Sequence, residues 1–185
     1  MDTAMRRITY VFILLSALVV FAKPTEKLPL TKELQAEELP WFAFDAKDGD
    51  GTYDRVINRD NLKEFAKQKK YRKIVLSFYA TWCIPCREGL VRMSKKAAEL
   101  EKNGVLIVLV NVGEDDYGKI SRWVSGYVKD EWLLGFDRFN NLTGNFGLSK
   151  NGDEMPLPRT LLLNQNLRPL MLIGQEGDDF PQIFY

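Results

Sequence analysis

The sequence predicts an α/β domain: a central mixed β-sheet flanked by helices, largely parallel at its centre and with a hairpin at one edge. Three observations predict it. From Leu39 onward, short apolar runs rich in β-branched and aromatic residues alternate with stretches of helical periodicity. Val105 to Val112 reads VLIVLVNV, a nearly unbroken apolar run of the kind covered on both faces in the middle of a parallel sheet. The 185-residue chain is 45% hydrophobic and 28% charged, so it can bury one core of ordinary domain size and is not a disordered chain.

The elements follow in order. Residues 1–22 are unlike the rest. Arg6 and Arg7 precede an apolar run from Ile8 to Ala22, and Val20-Phe21-Ala22 offers a small-x-small cleavage site, the pattern of a secretory signal peptide. The run is shorter than the ~20 residues that span a bilayer comfortably, which favours cleavage over retention as an N-terminal membrane anchor. Residues 23–37, with Pro24 and Pro29, read as a linker, either a tether or a first peripheral turn, and 38–185 as the domain. Trp41 to Asp45 is a short aromatic strand, Asp48-Gly49-Asp50-Gly51 a turn, and Tyr53 to Ile57 a returning strand. Asp60 is expected to cap a helix that buries Leu62, Phe65 and Ala66. Ile74 to Tyr79 is a β-rich run. Arg87 to Glu101 reads as a helix, with Leu90, Met93, Ala97 and Leu100 on one face, stopped by Asn103-Gly104. Tyr117 to Val128 and Asp137 to Phe146 are further helical candidates. Leu161 to Leu163 and Leu170 to Ile173 are strands joined by Asn164-Gln165-Asn166, and Phe180 to Tyr185 is too short for a full helix.

The chain has no histidine. Ser-His-Asp and Cys-His nucleophile pairs, HExxH zinc sites and imidazole bases are therefore excluded. The formal charge is +1, and loss of residues 1–22 would remove Arg6, Arg7 and Asp2 and bring it to zero. A nucleic-acid binder carries a concentrated basic excess, which is missing.

What remains is Trp82-Cys83-Ile84-Pro85-Cys86, which holds both cysteines of the chain between a core strand and a helix. Cys83 at a helix N-terminus would meet unpaired N–H groups and the positive end of the helix dipole, conditions that lower a thiol below its free pKa of ~8.5. Cys86, one turn on, would be less exposed and placed to attack a mixed disulfide on Cys83. Pro85 suits a first helical turn, where a missing N–H costs nothing. Trp82 would shield the thiol and offer a flat contact. Far along the chain, Met155-Pro156-Leu157-Pro158-Arg159-Thr160 precedes a buried strand, and Pro158 there is a candidate cis-proline. Opposite the cysteines, Leu157 would offer its backbone to a substrate peptide added as a strand.

These residues resemble a known family. YATWCIPCREGL after IVLSF, with LPRTLLLN about seventy residues later, looks like a thioredoxin-fold protein of the extracytoplasmic TlpA/ResA-like thiol–disulfide oxidoreductases. LPWFAFDAKDGDG resembles that group's N-terminal hairpin, VLIVLVNVGED its central strand, and the segment before residue 155 its inserted helix. The resemblance covers roughly residues 38–175. It implies that Cys83 attacks, Cys86 resolves and Pro158 is cis. It implies a disulfide-containing exported protein as substrate, apocytochrome c being one such class, and a membrane thiol carrier as electron donor. It implies no cofactor and an extracytoplasmic or periplasmic location. The sequence departs from the pattern at Ser77, six residues before Cys83, and at Gly89, three after Cys86, with Glu88 one position earlier. Those departures leave open which group exchanges a proton with Cys86.

Other readings compete. The cysteine pair could be a structural staple, but a bridge closing so short a loop removes little entropy. Two thiolates alone do not complete a metal shell, so no metal site is expected. Pro158 could be an ordinary trans turn, Trp82 and the aromatics Trp41, Phe42, Phe44, Trp123 and Trp132 simple core, and Glu88, Arg87 and Arg159 surface charges. The peroxidatic P-x-x-x-[ST]-x-x-C pattern is absent around Cys83. The functional expectation is a thioredoxin-like disulfide reductase. The alternative is a thioredoxin-fold binding module whose thiols are incidental.

Overall fold

The computed structural model describes residues 22–48, 54–137, 139–149 and 155–185. Residues 1–21 of the expected signal peptide or anchor, and residues 49–51 of the turn expected from Asp48, lie outside the described residues. The strands are β1 (Lys27–Leu28), β2 (Ala43–Asp48), β3 (Asp54–Asn58), β4 (Lys73–Tyr79), β5 (Val105–Val112), β6 (Leu133–Asp137), β7 (Arg159–Asn164) and β8 (Pro169–Ile173). They form one sheet in the order β1-β8-β7-β4-β5-β6-β2-β3. Pairing is parallel in β4-β5-β6 and antiparallel elsewhere. The helices are α1 (Arg59–Gln68), α2 (Ile84–Lys95), α3 (Ala97–Lys102), α4 (Tyr117–Val124) and α5 (Asn141–Asn145). The mixed α/β sheet and the edge hairpin β2–β3 are as expected; the helix expected over Asp137 to Phe146 is shorter, because Asp137 ends β6 and α5 covers only Asn141–Asn145.

The central strand explains the two-layer core. Leu106, Val108 and Val110 of β5 point to one face and Val105, Ile107 and Leu109 to the other, and all are buried. The first face packs against Leu62 and Ala66 of α1, Phe42, Phe44, Phe146 and Leu34. The second packs against Leu90 and Met93 of α2, Leu100 of α3, Ile120 and Val124 of α4, and Phe180 and Phe184. Each of the fully buried Leu, Ile, Val, Phe and Met side chains contributes about 1.5–3 kcal/mol of transfer free energy.

Several local expectations are corrected. Asn58, not Asp60, caps α1: its side chain accepts from Asp60 N and Asn61 N, each at 3.0 Å, and Asn61 returns a bond to Asn58 N at 2.8 Å. The expected helix from Arg87 to Glu101 is two helices. It starts earlier, because Cys83 caps it, and breaks at Lys96. α4 stops at Val124, short of Val128. β6 was unforeseen because Gly135 interrupts its apolar run, and Phe44 fills the space there: a Cβ on residue 135 would fall 2.6 Å from that ring. Trp41 is 59% exposed and not core, whereas Phe42, Phe44 and Trp132 are buried and Trp123 half-buried.

The segment expected as a linker is docked. β1 pairs with β8 through Lys27↔Ile173 and Leu28↔Leu172. Thr25 donates through N and Oγ1 to Asp179 Oδ1 at 2.7 and 2.5 Å, and Lys23 N to Asp178 Oδ2 at 2.7 Å. Leu34 is in the core. The closing residues form a single 3-10 turn, Gln182–Phe184, anchored by the edge-on pair Phe180–Phe184 with ring centroids 5.1 Å apart.

Candidate active site at the start of the second helix

β4 runs through the centre of the sheet and delivers the chain to its end at Tyr79. The next four residues turn: Cys83 N donates to Ala80 O at 3.0 Å, and Cys83 then becomes the N-cap of α2. Its sulfur accepts from Cys86 N at 3.2 Å, satisfying one of the orphan donors of the helix start. Cys83 and Cys86 are joined in a disulfide, with Cα atoms 5.3 Å apart. Pro85 stands in the first turn, where its missing N–H breaks no helical bond.

Exposure differs from expectation. Cys83 and Cys86 are 4% and 3% exposed, so in the oxidised pair neither sulfur is the open one. Their neighbours are open instead: Trp82 is 62% and Ile84 63% exposed. Trp82 is therefore not core packing, and with Ile84 it brackets Cys83 with an apolar surface.

The β4–β7 register brings in the distal segment. Ser77 pairs with Thr160 and Phe78 with Arg159, so Leu157 and Pro158 lie beside the end of β4, where the cysteine turn begins. The Leu157–Pro158 peptide bond is cis. Leu157 packs against the buried cluster that contains both cysteines. Arg159 Nη1 donates to Pro158 O at 2.9 Å, which fixes that side chain at the rim. Glu88 is not part of this assembly. It lies two residues beyond Cys86, about 200° round the helix, and faces solvent, as does Arg87.

Two carboxylates that sequence reasoning missed complete the surroundings. Glu114, just after β5, accepts from Thr81 N at 2.7 Å, Thr81 Oγ1 at 2.6 Å and Asn111 Nδ2 at 2.7 Å, with Lys119 Nζ 3.7 Å away. Burial opposes its charge, but those hydrogen bonds and the ammonium outweigh it and hold its carboxyl below the usual value. It ties the turn before Cys83 to the neighbouring strand. Beside it, the Tyr79 hydroxyl is buried with no hydrogen-bond partner among the described residues, its ring stacked on Trp123, and burial followed by the Glu114 charge pushes its pKa up.

Glu176, in the turn after β8, is buried on the face covered by α2. Its Oε1 accepts from Thr160 Oγ1 at 3.4 Å, and Oε2 lies 3.8 Å from Arg92 Nη2, too far for a hydrogen bond. Burial outweighs the attraction of Arg92 and the Thr160 bond, and its pKa is pushed up to about 8. Its sequence context, Gly174-Gln175-Glu176-Gly177-Asp178-Asp179, reads as a solvated turn, and nothing local marks the third residue as buried.

Comparisons with known proteins agree with this arrangement. The thiol-disulfide oxidoreductase ResA of Bacillus thuringiensis is 23% identical over 122 residues, covering 65% of this chain and 66% of that protein. The ResA of Bacillus subtilis is 32% identical over 95 residues, covering 51% of this chain and 49% of its own length. The chain thus spans between about half and two thirds of the curated relatives it matches. StoA from Bacillus subtilis superposes with a TM-score of 0.51 at 20% identity, over 73% of this chain and 90% of StoA. The reduced 2-Cys peroxiredoxin of Plasmodium vivax gives 0.59 at 18% identity, over 78% of this chain and 90% of that one. At such identities the two structures show the fold alone, and it is the thioredoxin-like fold expected from the sequence. The AhpC/TSA family matches residues 39–168, well over half of the chain, and to that family the chain belongs.

Proposed function

We propose that the chain is a thiol–disulfide oxidoreductase of protein substrates, with Cys83 as the attacking and Cys86 as the resolving cysteine. The observation that carries this reading is the Cys83–Cys86 bridge at the start of α2, with Cys83 as its N-cap and the Leu157–Pro158 segment alongside. A bridge of this span adds little chain constraint, so its use is better explained by its reversibility.

In the reducing direction, Cys83 thiolate attacks one sulfur of a partner disulfide. A mixed disulfide forms and the first partner thiolate leaves. Cys86 then gives up its proton and attacks Cys83 Sγ, closing the internal bridge and releasing the second partner thiolate. The partner gains two electrons and two protons, and the pair is oxidised. A membrane thiol carrier would supply the same two electrons and protons in return. Exposed Trp82 and Ile84 offer an apolar seat for an unfolded segment, and Leu157 a backbone edge. The Arg6-Arg7 apolar run supports exported substrates, such as an apocytochrome c, and a periplasmic or membrane-tethered setting, and the relatives named as thiol-disulfide oxidoreductases support the redox chemistry itself.

Insulin-type disulfide reduction tests the reading. Cys83→Ser is expected to reduce turnover to background, while Cys86→Ser should accumulate a mixed disulfide with the substrate. Full activity in Cys83→Ser would contradict the mechanism. Unchanged partner affinity in a Cys83→Ser, Cys86→Ser double variant, with no redox exchange in the native chain, would instead establish a binding module.

A further inference from the structure

Glu176 is a buried carboxylate that the reaction above does not use. It lies against the active-site helix itself. Gly89 is one turn beyond Cys86 on the same buried face of α2, about 4.5 Å along the axis, and a side-chain carbon added at Gly89 would overlap the Glu176 carboxylate. The carboxylate therefore fills the notch that the missing side chain leaves beside Cys86. On its other side it meets the sheet: Thr160 Oγ1 bonds Oε1, and the same hydroxyl lies 3.5 Å from Ser77 Oγ. Ser77 and Thr160 point to the face that carries both cysteines, because Val75, Tyr79 and Leu162, their alternate neighbours, belong to that cluster. A buried polar atom normally has at least one hydrogen-bond partner. Among the described residues Oε2 has none.

The groups that face Glu176 are few. From α2 comes Arg92, with a loose 3.8 Å contact and its own Nε unpartnered. From β7 comes Thr160, and beyond it, from β4, Ser77. Glu26, near β1, is engaged elsewhere, accepting from Gln175 N at 3.0 Å. Among the described residues the one charge paired with the carboxylate is the distant Arg92 guanidinium, which does not offset burial, and the pKa is raised to about 8. It can therefore gain or lose a proton near neutral pH.

We propose that Glu176 is the internal proton store of the Cys83–Cys86 pair. When Cys86 attacks the mixed disulfide, the proton leaves its thiol for the Glu176 carboxylate, the Cys86–Cys83 S–S bond forms, and the Cys83–partner S–S bond breaks. The partner leaves as a thiolate and is protonated from water. When a dithiol reduces the pair again, Cys86 departs as a thiolate and recovers its proton from Glu176. The inference rests on the redox reading of the pair.

The test uses the full chain. The Glu176 carboxyl is titrated by carbon-13 NMR in the oxidised protein and in the protein reduced with excess dithiothreitol. The titration midpoint is expected to differ between the two forms; an identical midpoint overturns the proposal. Independently, in the Cys83→Ser background, alkylation of Cys86 by iodoacetamide is followed against pH. Glu176→Gln is expected to change the rate at pH 7 at least tenfold and displace the profile, and Glu176→Asp to restore part of the original profile. A profile unaltered by Glu176→Gln also overturns the proposal. If the native pair exchanges with glutathione while both readouts stay unmoved, only the role of Glu176 falls. If the pair does not exchange at all, the oxidoreductase reading falls with it.

Discussion

Gly89 and Glu176 occupy the space of one side chain between them. Gly89→Ala should force the carboxylate out of its notch, costing about 1–3 kcal/mol in urea unfolding, and Glu176→Gly on top of it should recover part of that loss. Glu176 also has a signature in stability. Its carboxyl is protonated in the fold up to about pH 8 but ionises in the unfolded chain from about 4.5. The folded state then binds more protons, so stability falls as pH rises between those two values. Chemical denaturation across that window should show this decline in the native chain and a flatter dependence in Glu176→Gln. A native curve that rises with pH there would contradict the buried, protonated carboxyl. None of this is visible in the order of residues. A glutamate between glycines and aspartates looks solvated, and only the return of the chain from β8 beneath α2 makes it internal.

The turn between β4 and α2 is held by one carboxylate from the loop just after β5. Glu114 takes both the N–H and the hydroxyl of Thr81, so Glu114→Ala leaves two donors without a partner next to Cys83. The expected cost is about 2–3 kcal/mol of stability, with faster amide exchange at Thr81 and Trp82 while the amides of β5 stay protected. Unchanged exchange at Thr81 would show that the turn holds itself. At this level the sequence is readable wherever a pattern repeats. The apolar runs of β4 and β5 and the Cys-x-Pro-Cys start of α2 all announce themselves. It is unreadable where a single tertiary contact decides. β6 is broken by a glycine that Phe44 covers. The cap of α1 falls to Asn58 because Asn61 can answer it. The break at Lys96 has no Gly or Pro to mark it.

The sheet is closed at one edge by its own beginning. Lys27 and Leu28 pair with β8, and the residues before them bond the turn that carries Glu176: Thr25 accepts from Gly177 N at 3.0 Å and donates to Asp179. Deleting residues 23–28 should therefore lower the thermal midpoint and loosen the Glu176 turn as well as the edge, read as lost amide protection in β8. Equal protection with and without the segment would restore it to the role of a linker. Two prolines and many charges made it look unstructured, since a two-residue strand leaves no periodicity to find. The domain class, the cysteine pair and Pro158 were legible because each rests on local chemistry or a long repeat. Glu114 and Glu176 rest on contacts between distant segments and were not. The central claim, that Cys83 and Cys86 are a working redox couple poised for reduction, is tested most directly by equilibrating the protein against glutathione buffers and trapping the thiols. A potential near ~−270 mV is the predicted result; a value near ~−120 mV, or a pair that never exchanges, would contradict it.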